Sequence, residues 1–566
     1  AASVVTAAPT DPRHIETGVR IPDEGYCDQP YVVITREGHW LCTLTTGPGR
    51  EGEPGQHVVS TISTDQGESW SPLVDIEPAG GPEASWAIPL VTPSGRIYVF
   101  YTYNGDRVDR LPGSKRKIRA DVLGWYCYRY SDDGGRSWSR ERHRLPLRVT
   151  ACDRANNWKG KVQMFWGIDK PKTADGHVRF AFTKLGRYIL DDGEGWMFHS
   201  DNILTESDPA RIRWEMLPVG ERGIRAPEFG SVQEEHNHVV LDRPDRLYLV
   251  YRTTMGYPCH SYSEDGGRSW SRPVPMTYTP GGRKIKNPRA CPKLFSCRNG
   301  KYLFWFHNHG GRSYQGRNPA WICGGRLRNG KMSWSQPEIL LYHDDPRVRM
   351  SYPDLIEQDG RFWITETQKS VARVHEIDPA LLEGLWNQGT LKKVTNAGLL
   401  FESPGGNRVR LARTLDLGQT GGLAIDMWLA LDAAQTRTLL DSRDRAGRGL
   451  RVSLTAENTV RLELRDGRHT AVWNTDPGLL EPGKRHHVVA IVEARPRIIL
   501  FVVDGQLCDG GDHRQYGWGR YSDPLGDVTG SRTLRISPQI KHLRFYRRPL
   551  RVSEAIANYH AGRQGD

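Results

Sequence analysis

Short runs of apolar and β-branched residues, broken by Gly, Asp and Asn, dominate the first two thirds of the chain. Tyr31–Thr35, Trp40–Thr45 and Val58–Ser63 read as strands of one unit, and Ile97–Tyr101, Leu247–Tyr251, Tyr352–Ile356 and Phe362–Thr367 repeat the pattern after tight turns. A helix-like stretch, Ala380–Trp386, follows Asp378-Pro379. From about Leu400 a second β pattern begins, with strands expected at Leu423–Leu431, Thr438–Asp441, Arg451–Leu454, Val460–Leu464, His486–Glu493, Ile498–Val503 and Ile540–Tyr546. Long heptads are absent, which excludes a bundle or coiled coil, and no run approaches the ~20 apolar residues that span a bilayer.

One motif punctuates the first pattern. Ser63-Thr-Asp65-Gln-Gly67-Glu-Ser-Trp70, Ser131-Asp-Asp133-Gly-Gly135-Arg-Ser-Trp138 and Ser263-Glu-Asp265-Gly-Gly267-Arg-Ser-Trp270 all read S-x-D-x-G-x-S-W. The composition is that of a tight hairpin: Asp and Ser hold turn amides, Gly takes a positive φ and Trp fills the gap beneath. Degenerate copies stand at Lys331-Met-Ser-Trp334 and Arg213-Trp214. The tryptophans recur at near-multiples of roughly 66 residues, the size of a propeller blade with several short strands. With one further unit after Trp334, six blades end near Asp378.

These repeats are Asp-boxes, and residues 15–390 resemble the six-bladed propellers of the sialidase (neuraminidase) superfamily. "GKRHHVVAIVEARPRIILFVVDGQLCDGG" resembles the centre of a laminin-G or concanavalin-type jelly roll, and "HLRFYRRPLRVSEAIANYHAG" its final strand and closing turn. The expected organisation is all-β: an N-terminal tail over 1–14, a catalytic six-bladed propeller over 15–390 and a jelly-roll β-sandwich over 391–566.

The length of 566 residues suits more than one domain at ~100–200 residues each. Lys+Arg exceed Asp+Glu by 78 to 66, so anionic partners are favoured. No zinc finger, RNA-binding aromatic signature or basic helix accompanies the charge, which points to an acidic glycan and away from nucleic acid. Cys291 and Cys297, and Cys27 and Cys42, are candidate pairs among nine cysteines, and no Cys-x-x-Cys occurs. The opening AASVVTAAPTDPR reads as the stub of a removed signal peptide, hence a secreted or periplasmic protein. Phosphate-cradling and dinucleotide motifs are missing, so no cofactor is expected, although the pattern leaves room for a structural Ca²⁺.

The resemblance implies a carboxylate clamp of three arginines, a Tyr nucleophile beside a Glu base, and an Asp acid. Ser351-Tyr352-Pro-Asp354-Leu355 matches the family's nucleophile strand, and Glu235 in Glu234-Glu235-His236-Asn237-His238 its base partner, with His236 alongside. A neutral phenol suits an anomeric centre bearing a carboxylate, because a charged nucleophile would be repelled. Arg252 and Arg317 fit two clamp arginines, bidentate partners for a planar carboxylate. Trp86 and Trp166 are candidate sugar platforms, and Glu366 lies on the strand behind Tyr352. For each of these aromatics, core packing is the alternative.

Two positions depart from the family. Arg20-Ile21-Pro22 has the letters of the first clamp strand but precedes the first turn by too much, and in register stands Asp28. The acid Asp is replaced by a loop, Arg50-Glu51-Gly-Glu53-Pro-Gly-Gln56-His57, with carboxylates and a histidine. Asp28 and Glu53 then become sugar-binding candidates and His57 a general acid or base. His307-Asn308-His309 permits chelation only if its strand runs on, so no metal is expected; His486 and His487 read as strand residues.

Three functions compete. The first is an exo-acting glycosidase removing a terminal acidic sugar through Tyr352 and Glu235. The second is a lyase or glycosidase at a uronic acid linkage with His57 as base; a lyase product absorbs in the near ultraviolet. The third is a non-catalytic glycan-binding protein.

Overall fold

The computed structural model describes residues 11–431 and 436–562. Among them strands predominate, and the longest helix is Val552–Gly562, where the sequence had led us to expect only a closing turn. The N-terminal tail lies largely outside the described residues. Its end is fixed: Arg13 pairs with Asp11 and with Glu493, each at 2.8 Å.

Among the described residues, six antiparallel sheets of four or five strands come first. The first holds Tyr26–Ile34, Trp40–Gly47, His57–Ser63 and Val74–Asp75; the second starts at Ala84–Val91, the third at Phe165–Trp166, the fourth at Glu234–Val240 and the fifth at Lys293–Ser296. The sixth takes Ser351–Gln358, Arg361–Thr367 and Ala372–Glu376, and its outer strand is Val19–Ile21 from the chain start. Successive sheets touch through their inner strands, and the sixth returns to the first. Arg20 sits on that closing strand, exposed and paired with Asp23 at 3.0 Å, far from any clamp.

The Asp-box chemistry holds in all three intact copies. Ser63 Oγ accepts from Gly67 N at 2.8 Å and Asp65 Oδ1 from Ser69 N at 2.9 Å, with the same bonds at 131–138 and 263–270. Gly67, Gly135 and Gly267 stand at φ +89°, +91° and +94°, as the turn requires. Trp138 Nε1 donates to Ser60 Oγ of the preceding sheet at 3.0 Å, so the box also ties neighbours together.

Two larger sheets, of seven and six strands, follow. Their alternating inward residues, among them Leu423, Ile425, Met427, Leu450, Val452, Val488 and Phe501, share one buried core. The opposite face of the seven-stranded sheet packs Val489, Ile491, Leu500 and Trp518 against Tyr248, Phe304 and Trp321 of the fourth and fifth sheets. At that junction the buried carboxylate of Glu338 accepts the first amides of the last helix, Val552 N at 3.0 Å and Ser553 N at 2.8 Å. His487 is a strand residue, its Nε2 3.0 Å from Asp426 Oδ1.

All nine cysteines are buried and free, which corrects both expected disulfides. Register explains the first: Cys27 lies opposite Thr46 and Cys42 opposite Val32, so the two thiols never face each other. Among the described residues, no helix is long and apolar enough to cross a membrane.

Candidate active site

The inner strands of the first, second, fourth and sixth sheets share a local irregularity. Each opens with a β-bulge, between Asp28 and Tyr31, Ser85 and Ile88, Glu234 and Asn237, and Ser351 and Asp354. The residue after the first paired position has a positive φ in every case: Gln29 +50°, Trp86 +66°, Glu235 +59° and Tyr352 +47°. Non-glycine residues avoid this region, and a bulge re-aims a side chain that a regular strand would point elsewhere. Here it turns Trp86, Glu235 and Tyr352 together.

The Tyr352 hydroxyl donates to Glu235 Oε1 at 2.7 Å, and Arg252 Nη1 lies 2.7 Å from the same oxygen. Burial, with Glu235 next, holds the Tyr352 phenol well above its ordinary pKa, so it is neutral and needs a base to react. Arg252 is also paired through Nε with Glu234 at 2.7 Å, and Glu234 takes Arg289 at 2.9 Å. Trp86 meets Tyr352 edge-on, ring centroids 6.0 Å apart, with Trp166 beyond it at 6.2 Å.

Above them lies a cavity of about 230 Å³ lined by Tyr352, Arg252, Arg317, Trp86 and Trp166. Its size falls below the ~300–1,000 Å³ typical for drug-sized ligands and suits a single sugar. The same wall holds four charged side chains from connecting loops: Glu51, from the loop whose carboxylates the sequence had flagged, and Arg119, Arg349 and Lys369, which sequence reasoning missed, with Asp121 paired to Arg119 behind them. No strand pattern marks loop residues as convergent, so the sequence carried no signal for them.

Charge bookkeeping separates the cations. Arg119 binds Asp121 and Glu51, Lys369 binds Asp28 and Glu51, and Arg252 binds Glu234 and Glu235. Arg317 has only neutral partners, Ser351 Oγ at 2.8 Å and the Arg289 carbonyl at 2.9 Å, while its Nε has none among the protein atoms. Arg349 makes no hydrogen bond or ion pair among the described residues. Arg317 and Arg349 are therefore the two cations of the lining without a carboxylate in ion-pair contact among the described residues.

Asp28 does not reach the cavity as a sugar ligand: it is buried and held by Lys369 and by Tyr26 Oη, the latter at 2.9 Å. Burial raises its pKa against the pull of Lys369. For Glu51 burial acts upward too, but Lys369 and Arg119 outweigh it and hold the carboxyl well below the usual range.

Four other expected residues are not in the lining. His57 opens the third strand of its sheet, away from the inner one, with Nε2 3.4 Å from Asp75 and 3.6 Å from Glu24. Glu53 accepts Arg50 N at 3.0 Å within its own exposed loop. His236 bonds Thr183 at 2.9 Å and stacks on Tyr251, and burial lowers its pKa to about 3. Glu366, on the second strand of the sixth sheet, faces His375 at 3.4 Å.

The strand before His307 ends at Phe306, so His307 and His309 turn to the carbonyls of Pro319 and Gly316 instead of sharing a ligand. Among the described residues, His14, Glu16 and His343 form the one group of three in reach of a shared metal. Both imidazole Nδ1 atoms accept backbone amides, at 3.4 and 3.0 Å, which leaves the proton on Nε2 and no lone pair there for an ion. For Ca²⁺, which takes ~6–8 oxygen ligands, the set offers one carboxylate, Glu16.

The family model described as a BNR repeat-like domain matches residues 38–364. A search of curated proteins gives no match. Among solved structures, the chain is similar to a Trypanosoma rangeli sialidase in complex with sialic acid, at 12% identity and TM-score 0.44 over 96% of each chain. It is also similar to the Hadza microbial sialidase Hz136, at 18% identity and TM-score 0.46 over 64% of this chain and 68% of that one. A Dyadobacter fermentans protein of unknown function gives 16% identity and TM-score 0.48 over 64% and 97%. The matched segment of the family model covers more than half of the chain, and the protein belongs to the BNR repeat-like domain family.

Proposed function

We propose that the protein is a glycosidase that removes a terminal acidic sugar, sialic acid or a related carboxylated residue, from glycans. The six small sheets are then the blades of a propeller over 15–390, and the two large ones a laminin-G-like sandwich over 391–566. The observation that carries the reading is the 2.7 Å contact of Tyr352 with Glu235 in a cavity where Arg317 and Arg349 are the cations without a carboxylate in ion-pair contact. Arg317 and Arg349 bind the sugar carboxylate. Tyr352 Oη forms a bond to the anomeric carbon, Glu235 takes the phenolic proton, and the glycosidic C–O bond breaks with its electron pair on the leaving oxygen, which takes a proton from water. Arg252 holds Glu235 in place, and Trp86 packs the ring of Tyr352 at the required angle. Water then attacks the anomeric carbon, the bond to Tyr352 Oη breaks, Glu235 returns its proton to the phenolate, and the attacking water loses its second proton to solvent, where it neutralises the hydroxide left by protonation of the leaving oxygen.

The test is turnover of 4-methylumbelliferyl glycosides of N-acetylneuraminic acid and of glucuronic acid. Release from neither would refute the reading. The lyase alternative with His57 as base draws no support from a histidine outside the cavity; a near-ultraviolet chromophore from uronate polymers would revive it with a different base. A binding protein without chemistry has no need of a buried Tyr–Glu–Arg contact at strained backbone positions.

A further inference from the structure

The segment 310–317 has two sides. Tyr314 and Arg317 line the cavity just described, whereas Gly310 and Arg312 line a second, larger cleft of about 660 Å³. The rest of its wall comes from Tyr257, from 282–286 of the fourth-to-fifth sheet connection, and from 509–515 of the C-terminal part. Arg312 precedes Arg317 by five positions, so at most ~18 Å separates their Cα atoms.

This cleft is rich in positive charge. Arg283, Lys284, Lys286, Arg312 and Arg514 line it against Asp509 and Asp512. Arg283 is paired with Asp509 at 3.2 Å and Arg514 with Asp476 at 2.8 Å. Lys286 donates to the Arg514 carbonyl at 2.9 Å, and Lys284 rests over the Tyr257 ring at 4.9 Å. Neither lysine, nor Arg312, has a carboxylate partner among the described residues. The walls are fixed: Gly310 N donates to Gln515 O at 3.0 Å, Trp518 Nε1 to Asn308 O at 2.8 Å, and a Cβ at Gly256 would meet Gly310 O at 2.8 Å.

We propose that this cleft is a binding subsite for the acidic residues of an oligosaccharide whose terminal sugar occupies the cavity of Tyr352. The inference rests on the glycosidase reading for its direction. Lys284 and Arg312, which have no carboxylate beside them, select anionic groups, while Lys286 is partly offset by Asp509, Asp476 and Asp512; the Tyr257 ring offers an apolar face to a sugar. The small cavity takes one sugar; the cleft, reached across 310–317, takes those that follow.

The test reads binding directly, by calorimetry, with hexagalacturonate and an α-linked sialic acid tetramer as acidic probes and maltohexaose as the neutral one. At least one acidic probe is expected to bind, more weakly as salt rises, and Lys284→Gln with Arg312→Gln to weaken it about tenfold, the order expected for two part-exposed charge contacts. If the double variant melts early, the charge-retaining pair Lys284→Arg and Arg312→Lys must restore wild-type affinity. The proposal is overturned if neither acidic probe binds, if maltohexaose binds as well, if the double variant binds as wild type does, or if an oligothymidylate binds more tightly than both glycans. Because no turnover is measured, an enzyme inert towards aryl glycosides would refute the glycosidase and leave this result standing.

Discussion

The Lys369 ammonium lies 4.3 Å from the centre of the Tyr352 ring while it binds the carboxylate of Asp28. A cation thus stands beside the phenol, but it enters from a loop of the sixth sheet and is neutralised from the first. It cannot grip a substrate carboxylate without releasing Asp28 or Glu51, which is why the proposed carboxylate site falls to Arg317 and Arg349.

Tyr352→Phe should lower kcat by roughly 10³–10⁶-fold on an activated glycoside, the range for loss of a covalent catalyst. Its melting temperature should fall only by what one buried hydrogen bond to a carboxylate supplies, about 1.5–3 kcal/mol. Retained activity per folded molecule would make Tyr352 a packing residue.

The arginines should divide into two kinds. Arg349→Gln, which breaks no ion pair, should raise KM ~10–100-fold at unchanged melting temperature. Arg252→Gln leaves the buried Glu235 carboxylate without a cation, although Glu234 keeps Arg289, and should cost about 3–5 kcal/mol in stability. Equal stability losses in both would sink the distinction.

A general acid needs its proton at working pH, and Glu51 has lost its own to the pull of Lys369 and Arg119. Turnover should therefore fall steeply as the aglycone becomes a poorer leaving group, from nitrophenyl to methyl. A flat series would mean that another group protonates the leaving oxygen.

Glu83 supplies a test in pH. Burial, then Asp121, pushes its carboxyl up to about 9, against the opposing pull of Arg119. The folded chain holds a proton there that the unfolded chain releases near pH 4.5. Its contribution is thus full below that pH and is lost as pH rises through about 9. Glu83→Gln, which mimics the protonated form, should leave stability unchanged at pH 4 and raise it by about 1–3 kcal/mol at pH 9. Parallel melting curves for both proteins across that window would contradict it.

The sequence exposed what regular strands and turns encode. Asp-boxes repeat because the same side chains must satisfy the same turn amides, and the family resemblance they carry is what singled out Tyr352, Glu235, Arg252 and Arg317. Asp28 was read as standing in place of a clamp arginine, but the position of its strand that is equivalent to Tyr352 is Gln29 once the bulges are counted, and a bulge has no letter of its own. Arg349 and Lys369 escaped notice because loops converge on the cavity from sequence separations that no local pattern records. His57 and Glu366 were misplaced for a related reason, since alternation along a strand does not say which strand is innermost.

The four positive-φ positions carry a further consequence. Held against their own backbone preference at ~1–3 kcal/mol each, they depend on the surrounding sheets to keep them there. Glycine would sit at any of them with less strain, yet three bear side chains that build the cavity. Loosening of the inner strand ends relieves that strain first, so heat should abolish the proposed activity while the sheets are still intact.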